Sequence, residues 1–393
     1  MRVLGMLGVV LAAVALAGVP AHGAQGSVFT PVGPLRILDT RDGGGPVGPN
    51  SVYTLHVAGA GLSVPAGATE VVFTLTATDA TNDSFVTAYA DGTARPAASS
   101  LDFAAGQNTA NLVSAPIGSD GSVDIWNHAG SVDLIADLAG YYSAGSSGTF
   151  QPVGPTRVLD TRSGIGTPGQ TIAPIGQGAT LGLQVDGVAG VPSTGVTAVV
   201  LDLVATNSTD SSFLTAYPDG SALPDASNLN FSPNQNVADL AVVPVTDGKV
   251  DITNHVGSVD VIADLYGYYT SGSGSTFSAL TPTRVLDTRA GTGAPVGQIG
   301  PDGVVPISLA AAGVPSTATA VVVHLTAVGG TDDSFLTGYA GGAPQPDTSN
   351  LNFPAGQTVS NLAVLPVGPD ETIDVWNHHG SVDVVADVYG YFG

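Results

Sequence analysis

The sequence predicts an all-β protein made of three tandem antiparallel β-sandwich domains, jelly-roll or immunoglobulin-like, with about eight strands each. Three observations carry this. "FTPVGPLRILDTR" from Phe29 returns as "FQPVGPTRVLDTR" from Phe150 and "FSALTPTRVLDTR" from Phe277, while "GSVDLIADLAGYY" from Gly130 returns from Gly257 and Gly380. Equivalent residues lie 121 to 127 apart, too long for a small solenoid repeat and long enough for a whole domain. The composition disfavours helix: 53 Gly, 27 Pro, and only Glu70 and Glu371 as Glu among 32 acidic residues, the rest being turn-favouring Asp.

Taken in chain order, Arg2, the apolar run from Val3 to Val19 and small residues around Gly23 and Ala24 read as a secretory signal peptide over residues 1–24. The run is too short for a spanning helix, so membrane insertion is not expected. Domains are expected at 27–145, 149–271 and 276–393, joined by flexible Gly/Ser linkers "SAGSSG" and "TSGSGS". Within each unit, strand runs rich in Val, Ile, Thr and Tyr alternate with Asp-Gly and Asn-His-x-Gly turns. No cysteine is present, so each unit must bury its core without disulfides.

The Arg-x-Leu-Asp-Thr-Arg opening, the "SNLNF" middle and the "GSVDVIADxxGYY" close resemble the LDTR-type tandem repeat domain of secreted actinobacterial proteins, often found beside wall-lytic or proteolytic domains. That resemblance implies an extracellular, non-catalytic accessory module.

A formal charge of -23 opposes binding to nucleic acid. Six of the nine basic residues nevertheless sit in the openings, as Arg36 and Arg41, Arg157 and Arg162, Arg284 and Arg289. Strand alternation puts the two arginines of each pair on opposite faces, with Asp39, Asp160 and Asp287 beside the second. Asp137, Asp264 and Asp387 of the closing strands then suit Arg41, Arg162 and Arg289, which predicts a charge-assisted clamp between first and last strand. Anionic ligand binding is the rival role for these arginines.

The second constellation is "VDIWNH". Alternation turns Val123 and Ile125 to the core and puts Asp124 and Trp126 on the other face, leaving the Trp outward beside Asn127 and His128; the third copy repeats this with Asp374, Trp376, Asn377 and His378. An aromatic face flanked by such groups suits a sugar. The second copy carries Thr253 in place of Trp, so it should bind more weakly. The alternative is a plain hairpin turn, since Asn-His-x-Gly persists there.

Asp79, Asn82 and Asp83, Asn207 and Asp210, and Asp332 and Asp333 form acidic loops in which calcium is a candidate, although none has the regular calcium-hand loop. No other cofactor is indicated. His128, His255 and His378 belong to separate units and do not suggest one zinc site. No Gly-x-Ser-x-Gly elbow or cysteine nucleophile is present, and His128, Ser131 and Asp133 crowd one hairpin, so no enzyme is expected. The sequence thus points to a secreted multivalent binding or adhesion module for extracellular polysaccharide or cell-wall polymer, its linked weak sites gaining avidity. A passive spacer or surface-layer protein without a ligand is the alternative.

Overall fold

The computed structural model describes residues 26–145 and 148–393, so the expected signal peptide lies outside the described residues. The first repeat contains β1 (Val28–Asp39), β2 (Ser51–His56), β3 (Ala68–Thr78), β4 (Ser84–Ala90), β5 (Leu101–Phe103), β6 (Thr109–Pro116), β7 (Ser122–Asn127) and β8 (Asp133–Ser143). The second contains β9 (Thr149–Asp160), β10 (Thr180–Gln184), β11 (Val196–Thr206), β12 (Ser212–Pro218), β13 (Leu229–Phe231), β14 (Val237–Pro244), β15 (Lys249–Asn254) and β16 (Asp260–Thr270). The third contains β17 (Phe277–Asp287), β18 (Val304–Ser308), β19 (Ala320–Val328), β20 (Ser334–Ala340), β21 (Leu351–Phe353), β22 (Thr358–Pro366), β23 (Thr372–Asn377) and β24 (Asp383–Phe392). Each repeat forms two four-stranded antiparallel sheets, in the first repeat β1-β8-β3-β6 and β2-β7-β4-β5.

This corrects the expected three tandem β-sandwich domains, jelly-roll or immunoglobulin-like. The chain is one assembly of six small four-stranded sheets, a six-bladed propeller in blade count, although each blade draws on non-consecutive strands of its repeat. What overturns separate domains is a shared apolar cluster that includes Phe29, Leu112 and Tyr142, Phe150, Leu240 and Tyr269, and Phe277, Leu362 and Phe392. Val71, Phe73 and Leu75 meanwhile pack with Val123 and Ile125 between the two sheets of the first repeat. The sheet that holds β3 is therefore buried on both faces.

At one end of the shared core, each opening Phe packs against the closing aromatic of another repeat. Phe29 meets Tyr269 at 4.4 Å, Phe150 meets Phe392 at 4.2 Å and Phe277 meets Tyr142 at 4.3 Å between ring centroids. Gly140, Gly267 and Gly390 of the closing strands make room, since a Cβ at each would run into the Phe ring of its own repeat. Six aromatic side chains so form a closed plug, with favourable tilted and offset contacts.

Further along, the edge strands β6, β14 and β22 join the repeats through side chains. The Leu112 amide donates to Asp239 Oδ1 (3.1 Å), the Leu240 amide to Asn361 Oδ1 (3.4 Å) and the Leu362 amide to Asn111 Oδ1 (3.2 Å). Edge amides that would otherwise lie buried and unpaired are thereby satisfied in a cycle. The expected flexible linker before the third repeat is pinned as well: Ser275 and Phe150 exchange backbone hydrogen bonds, as do Ser27 and Phe277.

Glu70, 1% exposed, lies beside the plug on β3, where it accepts from the Ser114 hydroxyl while its Oε2 has no partner among the described residues. Burial pushes its carboxyl up to about 8, the Ser114 hydrogen bond opposing the shift. The folded state then holds a proton that the unfolded chain releases near 4.5. Stability should accordingly fall as pH rises between about 4.5 and 8, approaching about 1.4 kcal/mol per pH unit from this group. Denaturant unfolding of Glu70→Gln across that window should lose this part of the slope; an unchanged slope would show that Glu70 is ionised in the fold.

Candidate ligand-binding site

The opening arginines are structural, in a different pairing from the one expected. Arg36, not Arg41, grips Asp137, with Nε to Oδ1 at 2.7 Å and Nη2 to Oδ2 at 3.2 Å. Arg157 holds Asp264 and Arg284 holds Asp387 in the same bidentate way. Arg41, Arg162 and Arg289 instead fold back on Asp39, Asp160 and Asp287, two positions earlier. The cause is a bulge: the β1–β8 register slips between Arg36 and Leu38, and the same slip recurs in the other repeats. Strand alternation cannot be counted through it.

Asp137 is 1% exposed because a neighbouring repeat covers it; its Oδ2 also accepts from the Ser227 amide (3.2 Å). Arg157 reaches the Asp347 carbonyl (2.9 Å) and Arg284 the Ala97 carbonyl (3.2 Å), so each clamp also reaches across to another repeat. Burial pushes the Asp137 and Asp264 carboxyls up, while the paired guanidinium pulls each the other way. Asp39, Asp160 and Asp287 are held low, chiefly by hydrogen bonds from Arg41, Arg162 and Arg289.

The expected sugar platform is also corrected. Trp126 is only 8% exposed and Trp376 only 7%. The Arg95 guanidinium lies 3.7 Å from the Trp126 ring centroid, and the Phe85 ring meets its edge at 5.7 Å. A cation–π contact, contributed by a residue far away in sequence, covers the face that a sugar would need. Phe335 and His378 pack on Trp376 at 5.6 and 5.1 Å. Asn127 is fully buried and its Nδ2 donates to the carbonyls of Val47, Gly48 and Gly130; Asn377 does the same for Ile299, Gly300 and Gly380. Asp124 accepts from Thr54 (2.6 Å) and Asp374 from the Gly342 amide (3.1 Å). These residues hold hairpins together. Gly130 completes one at φ 60°, where a Cβ would strike Thr81 and Asn82.

In the acidic loops, Asp83 and Asp333 are occupied by the backbone amides of Ala105 and Ala355, and Asp210 and Asp332 by neighbouring threonines. Among the described residues no group of three acidic or histidine side chains is placed to hold a metal ion.

What the fold does build is a cavity of about 460 Å³ shared by all three repeats. Gln107, Gln235 and Gln357 line it from the connections that precede β6, β14 and β22, and Asp102, Asn230 and Asn352 from the centres of β5, β13 and β21. Thr109, Val237 and Val359, at the starts of β6, β14 and β22, bring less polar surface. Phe85 and His128 stand at its side, stacked at 4.8 Å, so of the expected platform residues it is His128 that reaches the cavity. His378 and Phe335, stacked at 4.5 Å, line a smaller adjoining recess of about 220 Å³ with Gln235 and Asn352. Gln235 spends its carbonyl on the Ser232 amide (2.9 Å), which leaves its NH₂ as donor. Convergent amides with a few carboxylates and hydroxyls offer both donors and acceptors, the requirement for a ligand dense in hydroxyl groups. Sequence reading missed these residues, though the signal was there: "AGQN", "PNQN" and "AGQT" recur at the same place in each repeat.

No family model matches the chain, and no curated protein matches it. Two solved structures show a weak likeness, each at 9% identity over 88% of this chain and 83% of the other. One is described as "The Triple Jelly Roll Fold and Turret Assembly in an Archaeal Virus", with a TM-score of 0.20, the other as the atomic structure of Sulfolobus Turreted Icosahedral Virus, with a TM-score of 0.19. Likeness at that level carries no argument about fold or function.

The clamp geometry separates two arginines that look alike in sequence. Arg36→Leu strands a buried Asp137 and should cost about 3 kcal/mol, whereas Arg41→Leu removes a half-exposed arginine from an Asp39 that keeps Arg36 at 3.6 Å and should cost under about 1 kcal/mol. Urea midpoints of the two variants check this; equal losses would place the clamp elsewhere.

Proposed function

We propose that the chain is a secreted, non-catalytic binding protein for an extracellular polysaccharide or cell-wall polymer, which it holds in the cavity where the three repeats meet. The observation that carries this reading is the convergence of Gln107, Gln235 and Gln357 with Asp102, Asn230 and Asn352 on one cavity. Amide side chains donate and accept at once, and so match vicinal hydroxyls without requiring a charged ligand. The stacked Phe85 and His128 rings add a flat apolar surface for sugar C–H groups. The LDTR-type resemblance, with its accessory modules beside wall-lytic domains, supports the same class of ligand.

Avidity is recast by this arrangement. Three beads on flexible linkers would gain affinity through effective concentration. Repeats that share a core instead pool their side chains into one site, whose affinity depends on their relative placement.

The test is retention of the mature protein on insoluble cell wall, chitin and cellulose. Retention should be seen on at least one of these and should fall roughly tenfold or more when Gln107, Gln235 and Gln357 are all changed to Ala, three lost hydrogen-bonding partners being enough for that. Retention that survives the triple change, with circular dichroism unaltered, would move the site elsewhere. No retention on any support would favour the passive spacer.

A further inference from the structure

The three repeats do not contribute equally to the shared cavity. At one equivalent position the second and third repeats place Asn230 and Asn352, and the first places Asp102. Asp102 uses Oδ2 to accept from Ser99 (2.8 Å), and Oδ1 has no protein donor among the described residues. Asp83 of the same repeat lines the same cavity, while no Lys or Arg among the described residues does. Asp333 lines the adjoining recess, but of the three equivalent positions at the centres of β5, β13 and β21 only the first repeat's carries a carboxylate, and within the main cavity the acidic residues, Asp83 and Asp102, both come from the first repeat.

Resting on the reading that this cavity binds a glycan, we infer that it selects a glycan bearing a free amino group, seated with its ammonium against Asp102. The chemistry is a charge-assisted hydrogen bond from N⁺–H to a carboxylate with a free oxygen, stronger than the neutral bonds the amides make. Anionic polymers, such as those with phosphodiester or uronate groups, meet like charge on the same wall and find no cation to offset it. The overall charge of -23 attracts any cation at long range, so a local preference must be separated from a diffuse one. Asp102 provides the means, because Asn is what the other two repeats carry at that place and Asp102→Asn should fold normally.

Calorimetric titration with three β-1,4-linked tetramers decides the matter: glucosamine, N-acetylglucosamine and glucose. The wild type should bind the glucosamine tetramer roughly five- to tenfold more tightly than the other two, and Asp102→Asn should bring the three to similar affinity. If the wild type binds all three equally, the amino preference is overturned while the glycan-binding cavity stands. A preference for the glucosamine tetramer that survives Asp102→Asn and disappears in high salt belongs to the diffuse charge, which also overturns the inference. If none of the tetramers binds, the cavity reading fails and the inference fails with it.

Discussion

Burial of one sheet of each repeat on both faces is the constraint from which the rest follows. A strand at the edge of such a sheet cannot turn its spare amides to water, so each must find a partner in another repeat. Asn111, Asp239 and Asn361 are those partners, each accepting from the leucine amide of another repeat's edge strand. The aromatic plug closes the same core at one end with a second cycle of contacts. Removal of one repeat would leave both cycles open, with edge amides, a carboxylate and aromatic faces in water.

The economy of charge has the same origin. An exposed face of a domain tolerates an isolated Asp, but Asp137, Asp264 and Asp387 lie on faces that neighbouring repeats cover. Each therefore has a bidentate arginine, and the chain places its few arginines there. Where no arginine is supplied, ionisation is suppressed instead: burial holds Asp202 and Asp239 well above the ordinary carboxylate value, against only weak opposition from Asn361 and from the Leu112 and Leu240 amides respectively. A neutral carboxyl costs far less to bury than an unpaired anion.

Strands and turns were legible in the sequence because period-two patterns and Asn-His-x-Gly turns are local signals. Asp137 was legible as a residue needing a cation, yet its partner was misassigned, since a one-residue bulge at Ile37 reverses every later assignment of faces. The assembly of the repeats was not read, although "VVFTLTAT", "VVLDLVAT" and "AVVVHLTAV" are nearly continuous apolar runs, the pattern of strands covered on both faces. Trp126 misled for a related reason. Its outward position was inferred from neighbours in sequence, whereas Arg95, which covers it, comes from the loop after β4.

Three copies in one chain also permit what three identical copies could not, namely different residues at equivalent places on the shared core. Thr74, Asp202 and His324 stand opposite Asp137, Asp264 and Asp387 in register. Their neighbours across the interface vary to match. Asn111 places its NH₂ 3.0 Å from His324 Nε2, which also lies 3.3 Å from the Ser100 carbonyl and where burial favours the neutral imidazole, and Asn361 turns its NH₂ toward Asp202 Oδ1 (3.4 Å). The third ring position is Asp239, which has no NH₂ to place, and the repeat whose amide it accepts carries Thr74 rather than a residue of the His324 or Asp202 kind. Only one cyclic order of the repeats brings these pairs together. The copies are thus complementary parts and not interchangeable units, and a cavity at their junction inherits that asymmetry, one wall acidic and the others amide.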